Sequence, residues 1–223
     1  MSVIGYAVDN TVTYFGSSLD VAVAPLPLTT PVTIGLIPLG TVSTISGIDF
    51  VSLPDGTFQM GDEVGDLWSG CRPVHGVTVS GFEMGIYEVT NAQYCAYLNA
   101  ALLEGVVEVE NSYSVKGKTD KWSWQHYLSM DLGNDDHRCW ITYDNTIFSV
   151  IPGKENLPVV AVTWYGSKAF ALYYGLDIPT EAEWEYACRG GKHYLYGTDD
   201  GTINATKANY NYNLGQPTDV GSY

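Results

Sequence analysis

Basic residues are few in this chain: ten Lys and Arg stand against 25 Asp and Glu over 223 residues, a net charge of −15. Such a field repels phosphate backbones and anionic headgroups, so nucleic acid and a membrane surface are excluded as partners. No basic residue precedes Arg72, so the start has no basic n-region of a signal peptide, and an exported or periplasmic parent would carry its signal elsewhere. Long hydrophobic runs are missing as well, because Pro25, Pro27, Pro31 and Pro38 interrupt the apolar N-terminal stretch before it reaches bilayer length. Cysteine is sparse: Cys71, Cys95, Cys139 and Cys188 are too widely spaced for a CxxC pair, which excludes a zinc ribbon or a thioredoxin-like motif and leaves disulfide pairing open. His75, His126, His137 and His193 share no ligand spacing and read as structural or surface residues.

Apolar and aromatic side chains, by contrast, are plentiful. Hydrophobic residues make up 45% of the chain, enough for a substantial core in one domain with an appendage or in two small domains. Seventeen tyrosines and six tryptophans suit a loop-rich fold with a binding face.

IPTEAEWEYACRGG, residues 178–191, has the most explicit local signals. Thr180 with Glu183 spells a capping box, Glu181 and Glu183 lie at the positive end of the helix dipole, Arg189 at the negative end, and Gly190-Gly191 supplies a left-handed stop. Pro179 and Trp184 are placed as a hydrophobic staple. Trp184, Ala187 and Cys188 are expected to share the packed face, with the indole as anchor, and Glu185 is expected to be solvated. The three glutamates do not converge, so caps and solvated faces explain them better than acid–base chemistry.

Residues 1–49 are almost uncharged and rich in Val, Thr, Ile, Gly and Pro, which suggests short extended segments or a linker ahead of a domain at 50–223. FVSLPDGTFQMG, from Phe50, reads as strand, turn at Pro54-Asp55-Gly56 and strand, and the alternation in HGVTVSGFEMGIYEV predicts a β-hairpin with a glycine at its bend. A helix follows, with a Thr90–Gln93 capping box and a Val89–Tyr94 staple, presenting Tyr94, Tyr97, Leu98, Ala101 and Leu102 on one side. Residues 104–156 read as an insertion with short strands. The Asp131 to Asp136 run has calcium-like oxygens without EF-hand spacing and is read as a solvated turn. LPVVAVTW is a short buried strand or extended lead-in to a third helix, capped by Thr163, carrying Ala169, Phe170, Tyr173 and Tyr174 and stopped by Gly175. Beyond Gly191 only turn formers, tyrosines and short apolar islands remain.

PDGTFQMG, RPVHGVTVSGFEMGIYEVTNAQY, LPVVAVTWYGSKAFALYYGLDIPTEAEWEYACRGG and TKANYNYNLGQPTDVGSY occur in an order and spacing that resemble the formylglycine-generating enzyme, or sulfatase-modifying factor, family. The resemblance implies an α+β fold, a variant of the C-type-lectin fold with little regular secondary structure and bound calcium. Typical members oxidise a sulfatase cysteine to formylglycine with copper, oxygen and a pair of cysteines. Those cysteines lie in C-terminal blocks that are not found in these residues, so the domain is expected to be incomplete at its C-terminus, no catalytic residue is assigned, and copper belongs to the complete family enzyme alone. By resemblance, Asn209 and the carbonyl of Tyr210 contribute to a structural calcium site. Cys188 matches a cysteine that some members bond to a C-terminal partner and is otherwise a small buried hydrophobe.

Two functions follow from different classes. One is an oxidoreductase of the formylglycine-generating type, inactive as this chain alone, whose partner is a sulfatase polypeptide. The other is a non-catalytic, C-type-lectin-like module that displays a binding surface for another protein or ligand. The sulfoxide synthases of thiohistidine biosynthesis would need an HxxxHxE iron motif, which does not occur.

Overall fold

The structure, a computed structural model, describes residues 4–5, 42–62, 71–119, 121–130, 139–190, 194–211 and 213–223. Eleven short strands and three helices are found among them: β1 (Ile4–Gly5), β2 (Val42–Ile45), β3 (Ile48–Leu53), β4 (Gly56–Met60), β5 (His75–Val79), β6 (Phe82–Gly85), α1 (Asn91–Leu103), β7 (Val107–Glu110), β8 (Ser114–Gly117), β9 (His126–Ser129), β10 (Ile141–Tyr143), β11 (Phe148–Val150), α2 (Trp164–Tyr173) and α3 (Glu181–Arg189). Every ladder is antiparallel, in small sheets ordered β1-β6-β3-β2, β4-β5, β7-β8-β9 and β10-β11. The class is α+β, as expected. No helix among the described residues is long and apolar enough to cross a membrane.

The strands at 48–60 and 75–85 form where alternation places them, but they do not pair as two local hairpins. β3 bonds to β6 and β4 to β5, with Leu53 opposite Phe82 and Gly56 opposite Val79, so a single register runs through a kink at Pro54-Asp55. The result is one long, bent two-stranded ribbon in place of the expected hairpin at 75–89. Gly81 marks the kink on the other strand: a Cβ there would stand 3.3 Å from the Leu53 carbonyl oxygen and 3.4 Å from the Asp55 nitrogen. β2 lies against β3, so residues 42–49 are continuous with this sheet across the compositional boundary at position 49.

Two apolar clusters flank the ribbon. The larger gathers Phe50, Tyr94, Leu98, Tyr127, Phe148 and Phe170 from β3, α1, β9, β11 and α2. Tyr94 and Phe170 stack at 5.4 Å, and Tyr97 meets Phe170 and Tyr173 edge-on. The predicted face of α1 is therefore inside, with Leu102 only partly buried. α2 approaches β9 so closely that a Cβ on Gly166 would fall within 2.8 Å of the Tyr127 backbone carbon. The smaller cluster joins Phe58, Val79, Phe82 and Tyr186.

All three helices start as their sequences predict. Thr90 and Thr180 form complete capping boxes with Gln93 and Glu183, and the Thr163 hydroxyl accepts from Gly166 N. Gly190 ends α3 with φ 60°. Residues 157–163 are an extended lead-in rather than a strand, bridged to the α1 N-cap at Pro158–Thr90 and to β9 at Val162–Leu128, where Ala161 O and Thr163 N also bond β9. Short strands β7–β11 occupy the 104–156 region. The Asp131–Asp136 run, His137, Gly191 and His193 lie outside the described residues.

Candidate functional site

α3 sits differently from its expected orientation. Tyr186 is its buried residue and packs on Phe58 and Phe82 at centroid distances of 5.4 and 6.4 Å. Ala182, one turn earlier, accompanies it. Trp184 lies about 200° around the helix from Ala182, which turns the indole away from the ribbon and leaves it 52% exposed. Glu185 is not solvated either. Its Oε1 accepts from Gly61 N at 2.9 Å and from Arg189 Nη2 at 2.9 Å, while Arg189 Nη2 also donates to Gly61 O at 2.8 Å. This closed ring of contacts fastens α3 to the end of β4. Gly61 suits the junction: it has φ 117°, and a Cβ there would stand 2.6 Å from the Cys71 carbonyl oxygen.

The outward face of α3 borders an open cleft of about 1460 Å³. Trp184, Ala187 and Cys188 form one wall, the turn after β6 with Ile86 and Tyr87 another, and the 194–223 segment the third. Val51, Leu53 and Met84 of the ribbon also line it. Ile86, Tyr87, Trp184, Tyr210 and Tyr223 are all exposed there, so the cleft combines a wide apolar surface with phenol hydroxyls at its edges. The last segment is held without regular structure: Val220 N donates to Asn156 O at 3.0 Å, and Gly221 packs so tightly on the Tyr87 ring that a Cβ would approach it to 2.9 Å.

Cys188 is the one thiol of the described lining, which contains no histidine. Gly197 closes over it; a Cβ at 197 would lie 2.7 Å from the sulfur. Burial raises its pKa, with Arg189 opposing and Glu185 adding to the rise, so the side chain is held as a thiol. The other cysteines are elsewhere: Cys71 is exposed, and Cys95 and Cys139 are buried in the larger cluster. All four are unpaired.

Asn209 and Tyr210, assigned to calcium by resemblance, both line this cleft. Asn209 Nδ2 donates to Gln216 O at 2.8 Å, and the Tyr210 carbonyl accepts from Asn213 N at 3.0 Å. The side-chain oxygen of Asn209 and the second lone pair of the Tyr210 carbonyl remain as hard donors. Calcium takes about 6–8 oxygens, and no group of three or more His, Cys, Asp or Glu capable of holding a metal occurs among the described residues. Asn209 and Tyr210 thus offer two oxygens of such a shell, and the described residues offer no acidic cluster to complete it. Nearby, Lys207 joins Asp199 at 2.8 Å and Asp200 at 2.5 Å. Hydrogen bonds from Lys207 and then Thr202 hold the Asp200 carboxyl well below its usual range. The described histidines are remote from one another in role: His75 Nδ1 contacts Pro73 O and His126 Nδ1 contacts Ser114 Oγ.

The Glu185–Arg189 ring and the placement of Tyr186 were missed by sequence reasoning. The i, i+4 spacing of Glu185 and Arg189 was a usable signal, but their shared partner, Gly61, lies 124 residues before Glu185 in sequence.

Residues 40–220 match the family model described as "Sulfatase-modifying factor enzyme 1-like domain". Relatives include the "Inactive C-alpha-formylglycine-generating enzyme 2" of Bos taurus, 31% identical with 71% of this chain and 58% of that protein covered. The "Formylglycine-generating enzyme" of Streptomyces coelicolor is 32% identical, with 67% of this chain and 50% of that protein covered. The "Serine/threonine-protein kinase Pkn1" of Chlamydia trachomatis is 31% identical over 73% of this chain and 23% of its own length. Among solved structures, PvdO from Pseudomonas aeruginosa aligns with a TM-score of 0.43 at 23% identity, covering 74% of this chain and 57% of that one. The chain spans between 23% and 58% of the lengths of the three relatives.

Proposed function

Because the chain belongs to the sulfatase-modifying factor enzyme 1-like family, we propose that it supplies the N-terminal portion of a formylglycine-generating-type domain with a C-type-lectin-like fold, and that a sulfatase polypeptide is the partner of the complete domain. The observation that carries this reading is the open cleft, whose apolar walls at Trp184, Tyr87 and Tyr223 are of a kind that a further polypeptide segment covers in a finished domain.

Copper does not fit the residues present. The family chemistry requires a pair of cysteines at the reacting centre, whereas this cleft holds Cys188 alone, raised in pKa and packed under Gly197. No step through copper is derived. Calcium fits in part: the Asn209 side-chain oxygen and the Tyr210 carbonyl would hold it, and the ion would act structurally by drawing the 194–223 segment together.

The chain alone is then inactive. Incubated with Cu(I), oxygen and a CxPxR peptide, it should form no aldehyde above a no-enzyme control, and aldehyde formation would overturn the reading. The second reading, a non-catalytic binding module, draws on the exposed aromatic lining and on the relative whose name marks it inactive. Saturable binding of a sulfatase-derived peptide to the chain, weakened by Trp184→Ala and without aldehyde formation in a longer form of the protein, would favour it.

A further inference from the structure

β7 is the free edge of its sheet, since the strand order is β7-β8-β9 and no other strand pairs with it among the described residues. Its hydrogen-bond parity follows from the hairpin. Lys118 N donates to Val106 O and Tyr113 N to Glu110 O, so the even-numbered residues of β7 bond towards β8. Val107 and Val109 then direct their N–H and C=O groups away from the sheet. Gly117, opposite Val107, directs its own groups towards Trp124 and Gln125, as the same parity requires.

Val107 and Val109 both line a second cavity, of about 410 Å³, between the β7 edge and the turn joining β10 to β11, Val107 buried beneath it and Val109 half-buried. Its rim carries Glu108, Asn111, Ser112, Lys118, Tyr143 and Asn145. Asn111, Ser112 and Asn145 have φ of 53°, 61° and 74°, three of the seven non-glycine left-handed residues described. Tight turns thus hold two amides and a hydroxyl around one opening, and no protein partner is recorded for these three side chains among the described residues. Next to it, Lys116 reaches the Glu108 carboxylate at 3.5 Å and stands 5.1 Å over the Trp124 ring. That indole is 73% exposed on a backbone with φ 72°.

We propose that this cavity binds a neutral oligosaccharide, with one sugar in the opening and the next against Trp124. Amides, a serine hydroxyl, a phenol and a carboxylate are complementary to hydroxyls that both donate and accept, and the indole offers an apolar face to the sugar's C–H groups. Local charge suits an uncharged ligand: Lys116 is shared between Glu108 and Glu110 in a chain whose overall field is strongly negative. Addition of a peptide strand to β7 is disfavoured, because the edge is four residues long and carries Glu108 and Glu110. The site shares no residue with the cleft and does not depend on the formylglycine reading.

The test titrates the full chain with chitotetraose, maltotetraose and cellotetraose, read by the side-chain amide resonances of Asn111 and Asn145 and by tryptophan fluorescence. One of the three should bind with a dissociation constant on the order of 1 mM. Asn145→Gly, which keeps the left-handed backbone and removes the amide, should weaken binding at least about tenfold, whereas Leu195→Ala, exposed and outside the lining of both cavities, should leave it unchanged. Trp124→Ala should weaken binding of the tetrasaccharide and not that of the matching monosaccharide. The proposal is overturned if none of the sugars shifts these signals at 20-fold the expected constant, or if binding survives Asn145→Gly. It is overturned equally if a Thr-Val-Thr-Val-Thr-Val peptide or a second copy of the chain protects the Val107 and Val109 amides instead.

Discussion

Glu185→Ala tests the way α3 is fastened to the ribbon. The carboxylate is the shared acceptor for Gly61 N–H and for Arg189, with side-chain exposures of 20% and 18% for Glu185 and Arg189. Removing it strands one backbone donor and takes the Glu185 carboxylate from a largely covered guanidinium that keeps its bond to Gly61 O. Hydrogen bonds to charged groups contribute about 1.5–3 kcal/mol each. The remaining solvent access reduces the charge contribution, so the expected loss is about 2–3 kcal/mol in total. For a domain of this size that is roughly 4–12 °C in Tm. Glu185→Gln keeps an oxygen for Gly61 N–H and loses the charge, so it should cost about 1 kcal/mol. Urea melts of the two variants beside the parent measure both figures. A Glu185→Ala variant within about 0.5 kcal/mol of the parent would refute the ring as a structural contact and restore the solvated glutamate expected from the sequence.

Thr180→Ala removes one half of the α3 capping box and should cost about 0.5–2 kcal/mol in the same melts. Gly166→Ala drives a methyl into the Tyr127 backbone, which cannot move without displacing β9, and should cost about 3 kcal/mol or abolish folding. Native thiol labelling at pH 8 should modify Cys71 quickly and reach Cys95 and Cys139 only on unfolding. Burial pushes the Cys139 thiol up to about 11 from 9.0. The folded state therefore holds this proton where the unfolded chain releases it, and stability falls as pH rises from about 9 to about 11. Cys139→Ala should flatten that part of the pH profile, and an unchanged slope would contradict it.

What was legible in the sequence is what the chain decides locally. A capping box needs only Thr90 and Gln93, or Thr180 and Glu183, and each box stands as expected. Strand positions were legible from alternation, but partners were not: the periodicity of Val77 and Val79 is the same whether they meet β6 or β4. The kinked ribbon is chosen because it places Phe50 in one cluster and Phe58 in the other. Trp184 was misplaced by its size, since the larger side chain looked like the anchor. Phe58 and Phe82 instead meet the face that carries Tyr186, and nothing within nine residues of helix reports that. Asn209 and Tyr210 were reached through resemblance alone, and their place in the cleft wall depends on how the last 30 residues thread past Tyr87 and Asn156.

The unbroken register through the Pro54-Asp55 kink makes the two apolar clusters share one error check. A slip by a single residue in either arm would carry through the bend and break the Leu53–Phe82 and Gly56–Val79 pairings together, so the contacts of both clusters would change at once. A misaligned ribbon cannot satisfy one cluster while spoiling the other, and partly correct pairings have no resting place between none and all. The bend thus ties a large core and a small one to a single cooperative decision about where residues 48–60 meet residues 75–85.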